Sequence, residues 1–149
     1  MRLLIQRVRR ASVEIEGVVK GAIGQGLLVF VGVTHEDTEE DVEYLAQKLL
    51  KIRLFDDENG VMNLDVGQVG GELLVVSQFT LLASTRKGNR PSYIAAAPEA
   101  VSRPMYERFV ARMETLTGRK VQTGEFGADM QIALTNDGPV TIWIDSKNR

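Results

Sequence analysis

Three polar residues interrupt an apolar run. In VVSQFTLL (75–82), Ser77, Gln78 and Thr80 stand where a buried strand would carry hydrocarbon. Buried polar groups cost free energy unless they are hydrogen-bonded. Two uses fit. The side chains satisfy backbone groups at a strand end or bulge, or they form a pocket rim whose hydroxyl, amide and backbone N–H groups face a ligand. A threonine hydroxyl is a nucleophile only with a base beside it, and no histidine stands near Thr80 in sequence. A site here therefore works by donors and shape rather than by a charged catalyst. The second stretch is NDGPVT (136–141). Asn-Asp-Gly marks a tight turn, yet Pro139 and an apolar run follow at once. Proline gives a sheet no N–H, so it belongs at a strand's first residue or on an edge. A Gly-Pro bond adopts the cis form at modest cost. Gly138 has no Cβ, so another molecule can approach its backbone closely. The corner is either a plain hairpin turn or a rigid reading head made of main chain.

Other chemistries lack their residues. There is no cysteine, which removes disulfides, thiolate catalysis and cysteine-ligated zinc. The single histidine, His35, lies in an acidic loop beside a helix start and reads as a surface or capping residue. No G-x-S-x-G elbow, H-E-x-x-H, Walker loop or G-x-G-x-x-G occurs. Asp56, Asp57 and Glu58 before Asn59-Gly60 lack calcium-loop ligand spacing and read as a solvated turn. No cofactor or metal site is expected. The net charge of −2 and a pI near 5.5 argue against a general polyanion binder, although a local basic patch remains compatible with them.

The elements that must position these residues follow from patterning. At 149 residues, 44% of them hydrophobic, the chain reads as one domain with a full core. LLIQRVRRASVEIEG reads as a strand, a bend and a second strand, and VVKGAIGQG as an edge strand. LLVFVGV (27–33) is a continuous apolar run, the mark of a strand buried on both faces. Thr38 and Asp41 stand at capping-box spacing, and Val42, Leu45, Ala46, Leu49 and Leu50 share one helical face. A glycine-rich loop (56–71) contains a short extended piece at VMNL, and ASTRKGNRPSYIAAAP (83–98) is a long basic loop. Pro98 fits the first turn of a second helix, with Met105, Phe109, Met113 and Leu116 as its stripe. Pro104 inside that pattern predicts a later start or a kink. The alternating runs on either side of NDGP predict a hairpin. The sum is an α+β domain: a curved, barrel-like, mainly antiparallel sheet with two main helices on one side. The N-terminus is not a signal peptide, and no apolar run approaches the ~18 residues of a membrane span. The expectation is a soluble cytoplasmic protein.

Taken together, SQFTLL and NDGPVT resemble the paired signature motifs of D-aminoacyl-tRNA deacylases. The flanks agree: IQRVRRASV, GLLVFVGV, GGELLVVSQFTL, KGNRPSY and TGEFGADMQIALTNDGPVTIW. The resemblance runs from residue 1 to 145. It implies hydrolysis of the ester between a D-amino acid, or glycine, and the 3′-terminal adenosine of tRNA, with L-aminoacyl-tRNA spared. It implies a homodimer with active sites at the subunit interface. One subunit supplies Ser77, Gln78, Phe79 and Thr80, and the other inserts Gly138 and Pro139 as a Gly-cisPro chirality filter. In that setting Arg7 braces the Gly-Pro carbonyls or makes a strand-surface ion pair. Phe126 and Met130 line an adenosine pocket or belong to the core. Arg86, Lys87 and Arg90 meet tRNA phosphates or are a solvated loop. A non-catalytic RNA-end or nucleotide-binding module would use the same pocket, bind D- and L-charged tRNA alike and release no amino acid.

Overall fold

The computed structural model describes residues 1–149. The chain opens with β1 (Arg2–Ile15), which turns at Glu16-Gly17 into β2 (Val18–Ile23) and β3 (Gly26–Gly32). β2 and β3 are two segments of one returning strand. β3 pairs antiparallel with the first half of β1 (Arg2↔Gly32 to Val8↔Gly26) and β2 with the second (Ala11↔Ile23 to Ile15↔Val18). After α1 (Glu39–Lys51) and the small hairpin of β4 (Phe55–Asp56) and β5 (Met62–Leu64), β6 (Glu72–Ser77) returns parallel to β3. After α2 (Glu99–Thr117), β7 (Gln122–Thr123) returns parallel to β6. Parallel neighbours need such crossovers, so the β3–β6–β7 side of the sheet is parallel, while the longer pairings of β1 make the sheet mainly antiparallel. β8 (Gln131–Asp145) completes the sheet along the other edge of β1. At Gly21 the backbones of β2 and β7 come so close that a Cβ would sit 2.8 Å from the Thr123 carbonyl oxygen. The sheet is thereby nearly closed into a barrel.

Two expectations are corrected. The first segment is one strand, not strand-bend-strand. Its pairing with β3 is unbroken from Arg2 to Val8, so by alternation Leu3 and Ile5 enter the core beneath the helices and Val8 faces the other way. The pairing with β8 then slips by one residue of β1 between Val8 and Arg10, which brings Ala11 and Val13 to the side of Val8, in a second cluster with Ile23, Leu28, Leu74 and Val76. NDGP is not a hairpin either. β8 runs antiparallel to β1 on both sides of it, with Thr141 opposite Gln6 and Asn136 opposite Val8. Residues 137–140 bulge out opposite the single residue Arg7. Proline is tolerated there because β8 has β1 as its only ladder partner and the bulge removes Pro139 from it.

The helices share one face of the sheet. Val42, Leu45, Ala46 and Leu49 of α1, with Met105, Phe109 and Met113 of α2, join Leu27, Val29, Leu73 and Val75 in one apolar cluster. The alternate residues Leu28, Leu74 and Val76 fill the barrel side, so β3 and β6 are buried on both faces. The Thr38–Asp41 capping box starts α1, as its spacing requires. α2 runs through Pro104 and ends at Gly118. Outside the core, Arg112 grips the Glu43 carboxylate with two hydrogen bonds of 2.6 and 2.8 Å, holding α2 to α1.

Candidate active site

β6 is apolar from Leu73 to Val76. Ser77 still pairs with Val31, and the Gln78 N–H donates to the Val31 carbonyl at 2.7 Å. The chain then coils into a 3₁₀ turn, Phe79–Leu82. The turn is tied down on both sides: Leu82 is buried, and Arg2 Nη1 donates to the Leu81 carbonyl at 3.0 Å. The first N–H groups of a helical turn have no acceptor within it, which leaves those of Phe79 and Thr80 available. The Gln78 amide donates to the Thr80 hydroxyl. Three polar residues in an apolar run are thus explained by a strand end, a turn and one side-chain pair.

This strand end forms one wall of an open cavity of about 290 Å³. Ser77, Gln78 and Phe79 face Phe126 and Met130, which come from the segment between β7 and β8. The floor is Val31, Val33 and Val76, and α2 contributes Ser102 and Tyr106. Asp129 supplies the one charged side chain of the lining. Phe126 is held in place by the Tyr106 ring at 5.8 Å and the Arg103 guanidinium 5.1 Å from its centroid. The Tyr106 hydroxyl donates to the Val75 carbonyl at 2.8 Å. Burial, with a smaller contribution from Glu107, pushes that phenol up to about 12, so it is a neutral donor and no proton acceptor at physiological pH. Ser102, Tyr106 and Asp129 went unread in the sequence, although the i, i+4 spacing of Ser102 and Tyr106 along the buried stripe of α2 was a usable signal. Thr80 lies in the turn behind the lining rather than in it. No group of three or more His, Asp or Glu side chains converges to hold a metal ion.

Gly138, Pro139 and Arg7 are not among the residues around this cavity. They form a second feature, the bulge of β8. The Gly138–Pro139 bond is cis, and both residues are exposed. Gly138 has φ +126°, a conformation L side chains rarely adopt, and a Cβ there would meet Val140 Cγ2 at 2.8 Å and Arg7 Nη2 at 3.3 Å. Arg7 is buried beneath it. Its Nε donates to the Asp137 carbonyl at 3.2 Å and its Nη1 to the Leu54 carbonyl at 2.7 Å. The Asp56 and Asp137 carboxylates stand 3.4 Å from the same guanidinium. The brace thus grips the peptide carbonyl before Gly138, not those of Gly138 or Pro139, and it does so from inside rather than on the strand surface. At the neck, Asn136 Nδ2 donates to Thr141 Oγ1 at 3.2 Å.

Arg86, Lys87 and Arg90 are exposed on the loop pinched by Ser84 and Ser92, whose N–H groups donate to each other's carbonyls at 2.8 and 2.9 Å. They make no salt bridge. Beyond the pinch, Tyr93 packs edge-on against Phe79 with centroids 5.0 Å apart.

A family model described as D-Tyr-tRNA(Tyr) deacylase matches residues 4–145. Relatives named D-aminoacyl-tRNA deacylase from Parabacteroides distasonis and Flavobacterium johnsoniae are each 58% identical over 149 residues, covering 100% of this chain and 99% of each relative. A solved structure described as c-Myc DNA Unwinding Element Binding Protein superposes with TM-score 0.91 at 38% identity, over 97% of this chain and 98% of the other. A second, described as a probable eukaryotic D-amino acid tRNA deacylase, shares the fold with TM-score 0.83 at 17% identity, over 96% and 97%. No helix is long and apolar enough to cross a membrane.

Proposed function

This chain belongs to the D-Tyr-tRNA(Tyr) deacylase family, and from that premise we propose that it hydrolyses the ester joining a D-amino acid, or glycine, to the 3′-terminal adenosine of tRNA while sparing the L-ester. The observation that carries the reading is the cavity closed at one end by the 3₁₀ turn. At about 290 Å³ it lies at the small end of the ligand-site range of about 300–1,000 Å³, which suits one terminal nucleoside. Phe126 and Met130 offer apolar faces to a base. In this reading the free N–H groups at the start of the 3₁₀ turn, that of Phe79 on the wall and that of Thr80 just behind it, stabilise the oxyanion.

The proton work falls to the substrate. An aminoacyl ester is already activated, and the ribose 2′-OH lies within reach of its carbonyl. A water adds to that carbonyl, the bond to the ribose oxygen breaks, and the ribose oxygen leaves with a proton relayed through the 2′-OH. Thr80 is a poor nucleophile here, because its hydroxyl receives a hydrogen bond from the Gln78 amide, a donor that cannot take up a proton. Gln78 and Ser77 orient the terminal adenosine and fix the strand end.

Selection by handedness comes from Gly138 and Pro139 of a second subunit in a homodimer. Within one chain these residues stand outside the cavity on an exposed, braced corner, a shape able to enter a neighbour's cavity. D- and L-residues differ by exchange of hydrogen and side chain at Cα. A carbonyl wall where the L side chain would project rejects that substrate by collision. A D side chain points away, and glycine has nothing to reject. The test is amino-acid release from matched D-, L- and glycyl-tRNA, with and without chelator. Release from D and glycine alone, unchanged by chelator, supports the filter. Equal release from D and L removes the filter and keeps the hydrolase. Binding without release from any substrate makes the chain an RNA-end binding module.

A further inference from the structure

The cavity takes one nucleoside, yet apolar surface continues past its mouth. Phe79, on the cavity wall, is 55% exposed, Tyr93 39% and Ile94 86%. Large apolar side chains so exposed, contiguous and next to a site mark a contact surface. Its backbone is fixed. The Ala96 N–H donates to the Tyr93 carbonyl at 2.9 Å, the Ala97 N–H donates to the Val33 carbonyl at 2.9 Å, and His35 Nε2 lies 3.1 Å from the Ile94 carbonyl. The Ser84–Ser92 pinch sets Arg86, Lys87 and Arg90 beside it. In a chain of net charge −2, this loop joins three unpaired cations to an aromatic shelf. Cations tracking phosphates next to aromatic faces for stacking is how proteins hold single-stranded nucleic acid.

We propose that Tyr93 and Ile94, extending the wall begun by Phe79, are a stacking platform for the unpaired nucleotides that precede the terminal adenosine of tRNA, with Arg86, Lys87 and Arg90 on their phosphates. The proposal rests on the reading that the cavity receives that adenosine. Charge decides the occupant: a second copy of this acidic chain has less to offer three cations than a polyanion does. Base selectivity is weak, because stacking is available to every base.

The experiment compares full-length D-tyrosyl-tRNA with D-tyrosyl-adenosine, which lacks the preceding nucleotides, for the natural protein, Tyr93→Ala and Tyr93→Phe. Stacking on an aromatic is worth about 1–3 kcal/mol per base. Tyr93→Ala should therefore raise KM for the tRNA about tenfold, with kcat within about twofold, and leave the adenosine substrate unchanged. Tyr93→Phe should behave as the natural protein. Equal losses on both substrates would make Tyr93 a support for Phe79 and overturn the platform, as would no loss on either. A change of oligomeric mass on sedimentation of Tyr93→Ala would assign the surface to a second copy and overturn it too. Should the natural protein cleave neither substrate, the hydrolytic reading fails on its own. The platform then stands or falls on whether Tyr93→Ala weakens binding of the oligonucleotide 5′-ACCA-3′.

Discussion

The cavity wall at the end of β6 and the corner on β8 solve opposite problems. The wall is concave, and most of its polar side chains are tied up within the protein: Gln78 with Thr80, Tyr106 with the Val75 carbonyl, Ser102 with the Pro98 carbonyl. What it has left to offer is backbone N–H, apolar surface, the Ser77 hydroxyl and the Asp129 carboxylate. The corner is convex and exposed, offers main chain alone, and is fixed from below by one buried guanidinium. The wall is rigid because it is packed into the core. The corner is rigid because of the Arg7 charge and its four oxygen partners, with Arg9 Nε a further 3.6 Å contact to the Asp137 carboxylate. Side-chain changes should therefore be mild at the wall and severe at the corner.

The largest effect tests that asymmetry directly. Gly138→Ala puts a methyl group 2.8 Å from Val140 Cγ2 and 2.9 Å from its backbone nitrogen, at a φ of +126°. The corner must shift, and an error of about 1 Å in a positioning group costs roughly a hundredfold in rate. The ratio of D to L release should fall by up to about that factor, measured as initial rates of amino-acid release from the two esters, while the cavity still binds adenosine. If the variant only lowers the denaturation midpoint and keeps its rate and selectivity, the corner is structural and the contrast collapses. Next is Arg7→Lys. An ammonium cannot reach the Leu54 and Asp137 carbonyls and both carboxylates together. We expect a loss of about 2 kcal/mol in urea unfolding and a rise in release from L-aminoacyl-tRNA as the corner loosens. Unchanged selectivity would show that the brace serves stability alone.

The two regions also differ in how far the sequence announced them. The wall was legible because polar residues in an apolar run are anomalous on physical grounds, and that anomaly needs no partner from elsewhere in the chain. The Phe126 and Met130 side of the cavity was visible through family resemblance, not through periodicity, since it lies in a connecting segment. The corner was misread as a hairpin. Asn-Asp-Gly-Pro carries turn chemistry, and local chemistry reports that the chain departs from a straight strand. It does not report whether the chain then reverses. That depends on β1 being long enough to pair with both sides of the bulge, a tertiary fact. The parallel side of the sheet was partly legible: β3 and β6 are near-continuous apolar runs, the pattern of parallel strands buried on both faces, and only their tertiary pairing fixes that direction.

Thr80→Ala is the mild counterpart at the wall. It deprives the Gln78 amide of its acceptor, a cost of about 1 kcal/mol for a partly buried neutral group. kcat on D-aminoacyl-tRNA should fall by no more than about tenfold. Abolished turnover, with fold and tRNA binding intact, would restore Thr80 as the nucleophile and place reactive side-chain chemistry at the wall after all.

The smallest effect lies outside both regions and serves as their control. Asp41 closes the capping box of α1 and receives a 2.8 Å hydrogen bond from Lys147 Nζ. Burial alone would raise its carboxyl, but the hydrogen bonds from Lys147, Ser146 and the Thr38 backbone outweigh it and hold the group well below the usual carboxylate range. A depressed folded-state value means that the unfolded chain binds the proton more readily. The stabilisation is therefore complete above the ordinary aspartate value of about 3.9 and drains away as pH falls below it. Asp41→Asn should flatten that part of the unfolding-versus-pH curve and cost about 1 kcal/mol at neutral pH, the usual worth of a cap. The ratio of D to L hydrolysis at neutral pH should not move, because neither the cavity nor the corner touches Asp41. A shifted ratio would mean that α1 sets the geometry of one of them, and the two regions would then have to be treated as one coupled unit.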